Sequence, residues 1–254
     1  MHQSDTLAQG ASPQDKAICL GHPSYVWRFG QERRLALIQK YAPLHERRIL
    51  DVGCGLGMYT RRMRTFSAEV YGIELDAEKI ARAGGEKPYI SLGRAEALPF
   101  PEGYFDVILL HEVLEHVEDD QRAVAEAHRC LKAGGRMVIF APNRLYPFET
   151  HGVYLGGRYL FGVIPLVNYL PIALRRHLCP HVRTYASGQL RRLLKNLPGR
   201  VIVHTQIFAG YDKLASRSAL LARMARRVSY TLEGTPLSCF GLSHFLVVEK
   251  ERRA

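Results

Sequence analysis

The sequence predicts an α/β fold: a doubly wound, mostly parallel sheet of seven strands, with helices on both faces and a hydrophobic insertion after the fifth strand. Three observations carry that reading. Between residues 47 and 142, short apolar runs alternate with segments of helical period, the pattern of a parallel sheet covered on two sides. The first run, "ILDVGCGLGMYT" at residues 49–60, opens into a loop with three glycines in five positions. Two further strand-like runs, "RVIVHTQIF" and "HFLVVEK", come late in the chain, after a stretch of different character.

The elements follow in order. Residues 25–42, "YVWRFGQERRLALIQKYA", carry apolar side chains at helical spacing and form a helix ahead of the sheet. "RRILDVGC" is the first strand, and the stretch after Gly57 is a helix. "AEVYGIEL" is the second strand, with "DAEKIARA" as the next helix, then "YISLGRA" and "YFDVILLH" as strands three and four. "DDQRAVAEAHRCLKA" is an amphipathic helix ended by Gly134 and Gly135, and "GRMVIFAP" is the fifth strand. Residues 143–180 are rich in aromatics, Pro and Gly. "SGQLRRLLKNL" is then a helix, and residues 210–238 read as one basic helix with flanking loops.

A chain of 254 residues, 47 % hydrophobic, supports one sizeable core. Residues 1–24 read as a flexible polar tail without an apolar signal core, and residues 25–254 as a single domain. Cys19, Cys54, Cys130, Cys179 and Cys239 show no metal-ligand spacing, and we read them as ordinary thiols in a reducing, cytoplasmic compartment. The net charge of +11 is unevenly placed. Residues 1–142 hold 18 Lys and Arg against 19 Asp and Glu, whereas residues 143–254 hold 17 against 5. The basic half suits an anionic partner, such as acidic lipid or nucleic acid, or is simply a solvated surface.

Gly53, Gly55 and Gly57 form G-x-G-x-G, with Met58 in the sixth position, where the dinucleotide fingerprint has glycine. A phosphate loop would need Gly-Lys-Ser/Thr, which is absent. Asp51, two residues before the first glycine, would repel a pyrophosphate. It suits a ligand bearing an ammonium and a sulfonium, and S-adenosylmethionine has both. Glu74 follows Gly53 by 21 positions, at the end of the second strand, where an acid can take both ribose hydroxyls.

With these residues in this order, the sequence resembles the class I, Rossmann-like S-adenosylmethionine-dependent methyltransferases of the type 11 group. The resemblance runs over residues 47–142 and more weakly to residue 190, and includes "AEALPFPEGYFDVILLHEVLEHV" and "HRCLKAGGRMVIFAPN". It implies a cofactor half at residues 45–142, and the chain divides further into an acceptor-side insertion at 143–185, a basic helical segment at 210–238 and a last strand at 243–250. It also implies that Glu74 binds the ribose, that the backbone at Ala95 meets the adenine, and that the main chain near His111 holds the methionine ammonium. Arg28, Cys54 and Leu75 complete the expected cofactor set. Arg94 stands where many relatives have an acid, so either Glu96 takes the adenine amino group or backbone alone does.

Methyl transfer from a sulfonium needs alignment of donor and acceptor, and a base where the acceptor loses a proton. His111 at the end of the fourth strand is one candidate base, and Glu112, His116 and His151 are the other catalytic candidates. With residues 113 onward helical, Glu112, Glu115 and His116 stand at i, i+3 and i+4 on one face and could hold Mg²⁺ or Mn²⁺. The segment resembles the ubiquinone-pathway O-methyltransferases, whose similar Glu-x-x-Glu-His run implies such a cation. Alternatively the acids cap the helix and the His packs. Asn143, Arg144 and Glu149, after the fifth strand, are placed for the acceptor.

The apolar stretch at residues 159–174 is too short to cross a bilayer and is broken by Pro165, Asn168 and Pro171. Arg175, Arg176, His177, His181 and Arg183 follow it. Residues 153–183 suit a lid over a hydrophobic acceptor, a segment lying in an anionic membrane interface, or a cap on the core. The 213–228 helix, with Arg217, Arg223, Arg226 and Arg227, could join that interface. The expected activity is methyl transfer to an oxygen or carbon of a hydrophobic small molecule (quinone, lipid or glycolipid-like), in the cytoplasm and peripheral to the inner membrane face. An RNA methyltransferase and a non-catalytic cofactor-binding module are the rivals.

Overall fold

The computed structural model describes residues 27–252 apart from Phe161, so the expected tail at residues 1–24 lies outside the described residues. Helix α1 (Phe29–Tyr41) precedes strand β1 (Ile49–Val52). Helix α2 (Met58–Met63), β2 (Val70–Glu74), α3 (Ala77–Arg82), β3 (Ile90–Leu92) and β4 (Phe105–His111) follow. Next come α4 (Asp120–Cys130), β5 (Leu131–Pro142), four short insertion strands, β10 (Gly199–Ile207) and β11 (Ser243–Lys250).

The seven long strands form one sheet in the order β10-β11-β5-β4-β1-β2-β3. β1 pairs in parallel with β2 and β4, and β4 with β5, while β11 runs antiparallel between β5 and β10. Alternate side chains of β4 enter opposite cores, because successive strand residues face opposite sides. Ile108 and Leu110 pack with Val124 and Ala127 of α4 on one face. Val107 and Leu109 pack with Leu35 and Ile38 of α1 on the other. Burial on both faces explains why the strands read as unbroken apolar runs rather than alternating ones.

Helix α4 is shorter than its sequence period suggests. It stops at Cys130 because Leu131 turns extended and buries its side chain in the core beside α4. At Gly135 a Cβ would meet the Lys132 carbonyl at 2.9 Å and the Asp106 carbonyl at 3.0 Å, so the strand entry needs glycine there.

The insertion is a small folded unit. Strand β6 (Phe148–Glu149) pairs with β9 (Ile164–Pro165), and β7 (Val153–Leu155) pairs with β8 (Arg158–Leu160). Helix α5 (Ile172–Leu178) closes it over Val153, Val167, Cys179 and Val182. Arg175 lies inside this core, not on a basic outer face as expected. Its guanidinium donates to Glu149 Oε2 at 2.7 Å, the Val182 carbonyl at 2.9 Å and Asn168 Oδ1 at 3.2 Å. His181 is buried too. Within the apolar stretch Val167 and Asn168 are buried, whereas Leu160, Val163, Leu166, Ile172 and Leu174 stay exposed, so the fold is compatible with a lid, a membrane segment or a cap on the core.

After helix α6 (Ser187–Arg192) and β10, the basic segment is two helices rather than one, α7 (Asp212–Ala215) and α8 (Ala219–Leu232). Ser218 separates them, its hydroxyl accepting from the Leu221 amide at 3.3 Å as an N-cap. The insertion and this segment meet at one end of the sheet. Asn143 Nδ2 donates to the Cys239 and Gly241 carbonyls, both at 2.7 Å.

Removing one member of a buried ion pair leaves the other uncompensated, at a cost of about 3–5 kcal/mol. The substitution Arg175→Ala is therefore expected to accelerate amide hydrogen exchange across residues 143–185 while β1 and β4 stay protected. Unchanged exchange in the insertion would show that the pair does not hold it together.

Candidate active site

The glycine loop joins β1 to α2 at the carboxyl edge of the sheet. Gly53 and Gly55 have φ of 66° and 58°, in the left-handed region open to glycine. A Cβ at Gly53 would strike Val113 at 2.6 Å, whereas one at Gly55 would meet nothing within 4 Å. The loop is therefore packed on one side and open on the other. Cys54 fastens it to β2, its amide donating to the Ile73 carbonyl at 3.0 Å.

Two carboxylates flank the open face. Glu74, at the end of β2, accepts from the Gly55 amide at 2.8 Å and from the Leu75 and Asp76 amides at 3.0 and 3.1 Å. Leu75 beyond it projects into solvent, 62 % exposed, an apolar surface next to the acid. Asp51 is buried and accepts from the Thr60 hydroxyl at 2.8 Å. Burial raises its pKa to about 7, against the lowering effect of that hydrogen bond. Lys79 lies 3.6 Å from Glu74, with no such cation beside Asp51 among the described residues.

Beyond β4 the chain departs from the expected helix. Glu112 has φ of 54°, and a single turn follows, closed by the His116 amide on the Val113 carbonyl. Glu112, Glu115 and His116 therefore do not share a helix face. Arg34 of α1 takes Glu112 instead. Its Nη1 donates to Glu112 Oε1 at 2.8 Å and to His111 Nε2 at 2.9 Å, while its Nη2 donates to the Ser243 hydroxyl at 2.8 Å. Ser243 donates in turn to Glu112 Oε1 at 2.7 Å. Burial would raise the Glu112 pKa, but Arg34 offsets this and keeps the group ionised. Burial and Arg34 hold the His111 pKa well below that of a free imidazole. His111 is thus a neutral acceptor for Arg34, which argues against its expected role as a base near neutral pH.

Glu115 is buried, and neither of its oxygens has a hydrogen-bond donor. Burial and the Glu112 charge raise its pKa well above the usual carboxylate value. One ligand atom each from Glu115, His116 and His151 lie within 4.8 Å of one another. His151 replaces Glu112 in the expected metal set, and Mg²⁺ fits this donor set poorly. One carboxylate and two imidazoles suit a transition ion better than Mg²⁺, which prefers oxygen ligands.

The acceptor-side residues divide. His151 Nδ1 donates to Glu149 Oε1 at 3.0 Å, and the amides of Thr150 and His151 bind the same oxygen at 2.9 and 2.8 Å. With Arg175 on the other oxygen, Glu149 has no capacity left for an acceptor. Burial pushes its pKa up, yet His151 and Arg175 prevail and hold it well below the usual range. Asn143 is spent on the Cys239 and Gly241 carbonyls and on the Leu145 amide. Arg144 donates to the Leu170 carbonyl at 3.0 Å.

On the adenine side, Ala95 is buried, while Glu96 departs from the expected contact. Its Oε1 accepts from the Glu118 amide at 2.9 Å and its Oε2 faces Arg94 at 3.7 Å. Arg28 caps α1, its amide donating to Gln31 Oε1 at 3.1 Å. Two residues of this region were not foreseen, Arg34 and Tyr59. Arg34 shares the α1 face of Ile38 and Tyr41 at positions i, i+4 and i+7, so a charge in an apolar stripe was the available signal. Tyr59 stands between Trp27 and His111, with ring centroids 5.0 and 4.4 Å away.

The strand order, the antiparallel β11 and the acid-flanked glycine loop define the Rossmann-like fold of class I methyltransferases. More particularly, residues 50–139 match the type 11 methyltransferase family, described as a methyltransferase domain. The ubiquinone biosynthesis O-methyltransferase of Methylococcus capsulatus is 34 % identical over 139 residues, covering 52 % of this chain and 58 % of that protein. Its counterpart from Aromatoleum aromaticum is 30 % identical, covering 52 % and 59 %. The chain thus spans less than two thirds of the length of these relatives. An S-adenosylmethionine-dependent methyltransferase structure from Mesorhizobium loti superposes with a TM-score of 0.59 at 20 % identity, covering 85 % of this chain and 96 % of that one.

The family implies S-adenosylmethionine as cofactor, and the loop fits it. The face of Gly55 is open for close approach, and a buried acid without a cation suits a ligand with two positive centres. Asp51 gives a test with a definite sign. Below its pKa of about 7 it is protonated in the free protein, and a cationic ligand favours the ionised form. Affinity for S-adenosylmethionine is expected to rise with pH through that value, with about a tenfold loss on going from pH 8 to pH 6. Calorimetry in buffers of different ionisation enthalpy would detect the released proton, and Asp51→Asn should abolish the pH dependence. A flat profile in the unsubstituted protein would exclude this role.

Proposed function

We propose that this chain is an S-adenosylmethionine-dependent methyltransferase acting on a hydroxyl of a hydrophobic small molecule, of the quinone or lipid-like class. The observation that carries the reading is the Glu149–His151 pair beside Glu115 and His116. The activity for which the relatives are named, O-methylation in ubiquinone biosynthesis, supports oxygen over carbon as the acceptor atom and a quinone-like ring as its carrier.

The bound cofactor supplies a methyl group on a sulfonium, open to in-line attack. His151 does the proton chemistry. Its Nδ1–H is held by Glu149, which leaves Nε2 as the basic nitrogen to take the hydroxyl proton as the oxygen attacks. Glu149 fixes the tautomer and stabilises the imidazolium, and Arg175 keeps Glu149 ionised.

The close approach of Glu115, His116 and His151 favours a second reading, in which they hold a divalent ion that orients the acceptor oxygen. The two readings differ under chelation. With His151 as base, chelator-treated enzyme should keep its rate on a long-chain alkylcatechol. In the same assay His151→Gln should lower kcat by about 10²–10⁴-fold with S-adenosylhomocysteine affinity unchanged. Full kcat in His151→Gln would sink the base assignment, and a chelator-dependent loss restored by Mn²⁺ would favour the ion.

A further inference from the structure

Helix α8 lies outside the residues that match the methyltransferase family, and nothing in the site chemistry uses it. Its inner side is firmly held. Ala222 and Ser229 are buried, Arg226 donates to the Gly210 carbonyl at 2.8 Å and lies 3.8 Å over the Phe29 ring, and Tyr230 donates to the Ala209 carbonyl at 3.1 Å. Its outer side is apolar and bare. Leu220, Leu221, Met224 and Val228 are between 53 and 64 % exposed. At about 100° per residue, these four side chains fall within an arc of about 100°. Arg223 and Arg227, both exposed, flank the arc on one side, and no acid occurs within the helix.

We propose that α8 is a membrane-docking helix, lying in the headgroup region of an anionic bilayer with Leu221 and Met224 inserted and Arg223 and Arg227 on the lipid phosphates. A face this apolar on a helix this well anchored calls for a partner, and charge selects which. Antiparallel pairing with α8 of a second copy would bring the arginines of both helices to the same side of the seam, where like charges repel. An anionic lipid surface complements both features at once. The helix has 14 residues, and no described helix is long and apolar enough to cross a membrane, so it lies in the surface plane. The reading stands apart from the proposed reaction, since docking is measured without any acceptor.

The test is cosedimentation of the full-length chain with vesicles of mixed phosphatidylglycerol and phosphatidylcholine, against vesicles of phosphatidylcholine alone. Binding is expected only to the anionic vesicles and should weaken with salt. Leu221→Glu/Met224→Glu and Arg223→Glu/Arg227→Glu should each reduce it by about tenfold or more, with unchanged circular dichroism and S-adenosylhomocysteine affinity. No binding to anionic vesicles, or equal binding to both kinds, would overturn the proposal. So would full binding by the Leu221/Met224 variant with loss only in the arginine variant, the mark of a purely ionic surface such as nucleic acid uses. A dimer in sedimentation velocity that Leu221→Glu/Met224→Glu dissolves, without vesicle binding, would assign the face to a second copy.

Discussion

Burial of the parallel sheet on both faces decides where chemistry can occur in this molecule. Strands β1 and β4 are covered on both faces, so their polar side chains lie toward the strand ends. Asp106 stands at the amino end of β4, held by Lys132 and the Arg48 amide, and Asp51 and His111 lie toward the carboxyl end, where such sheets bind ligands. Asp51 sits within β1 and remains buried. Its burial lifts its pKa toward neutrality and makes it responsive to a nearby positive charge. The same edge carries Glu74, His111 and Glu112, and the insertion leaves from it.

How much of this was legible in the sequence depended on how far apart the partners lie. Asp51, the glycines and Glu74 fall within one βαβ unit, so their spacing alone specified their arrangement. The run from Glu112 to His116 looked equally local, yet it misled. A helical period was read into five residues, whereas Glu112 adopts a left-handed conformation and the chain makes only one turn. The arginine that claims Glu112 is 78 positions upstream, and the serine that completes the network is 131 positions downstream. Arg175 read as a member of a surface cluster because its partner, Glu149, is 26 residues away, across two strand pairs that no local pattern announces.

The site also divides its charge in a consistent way. Arg34 stabilises one carboxylate, Glu112, while burial and the Glu112 charge raise the pKa of Glu115. Across the gap, Arg175 and His151 stabilise Glu149. Glu112 and Glu149 each have their own guanidinium, and Glu115, which has none, has its pKa raised well above the usual carboxylate value. That arrangement avoids the cost of an unpaired buried charge. It also sets an imidazole, His151, that is backed by a fixed anion beside the buried Glu115 carboxyl.

The clip at Asn143 connects the chemical end of the sheet to the rest of the basic half. By binding the Cys239 and Gly241 carbonyls, it ties the first residue of the insertion to the turn between α8 and β11. Ser243, two residues beyond Gly241, is the serine that hydrogen-bonds Glu112 and Arg34. The insertion, the bare face of α8 and the carboxylate network are therefore joined through a few residues of backbone. An acceptor with a long hydrocarbon tail gains from this layout. Docked through α8 as proposed, the protein would hold this joined end of the molecule near the lipid in which such an acceptor is dissolved.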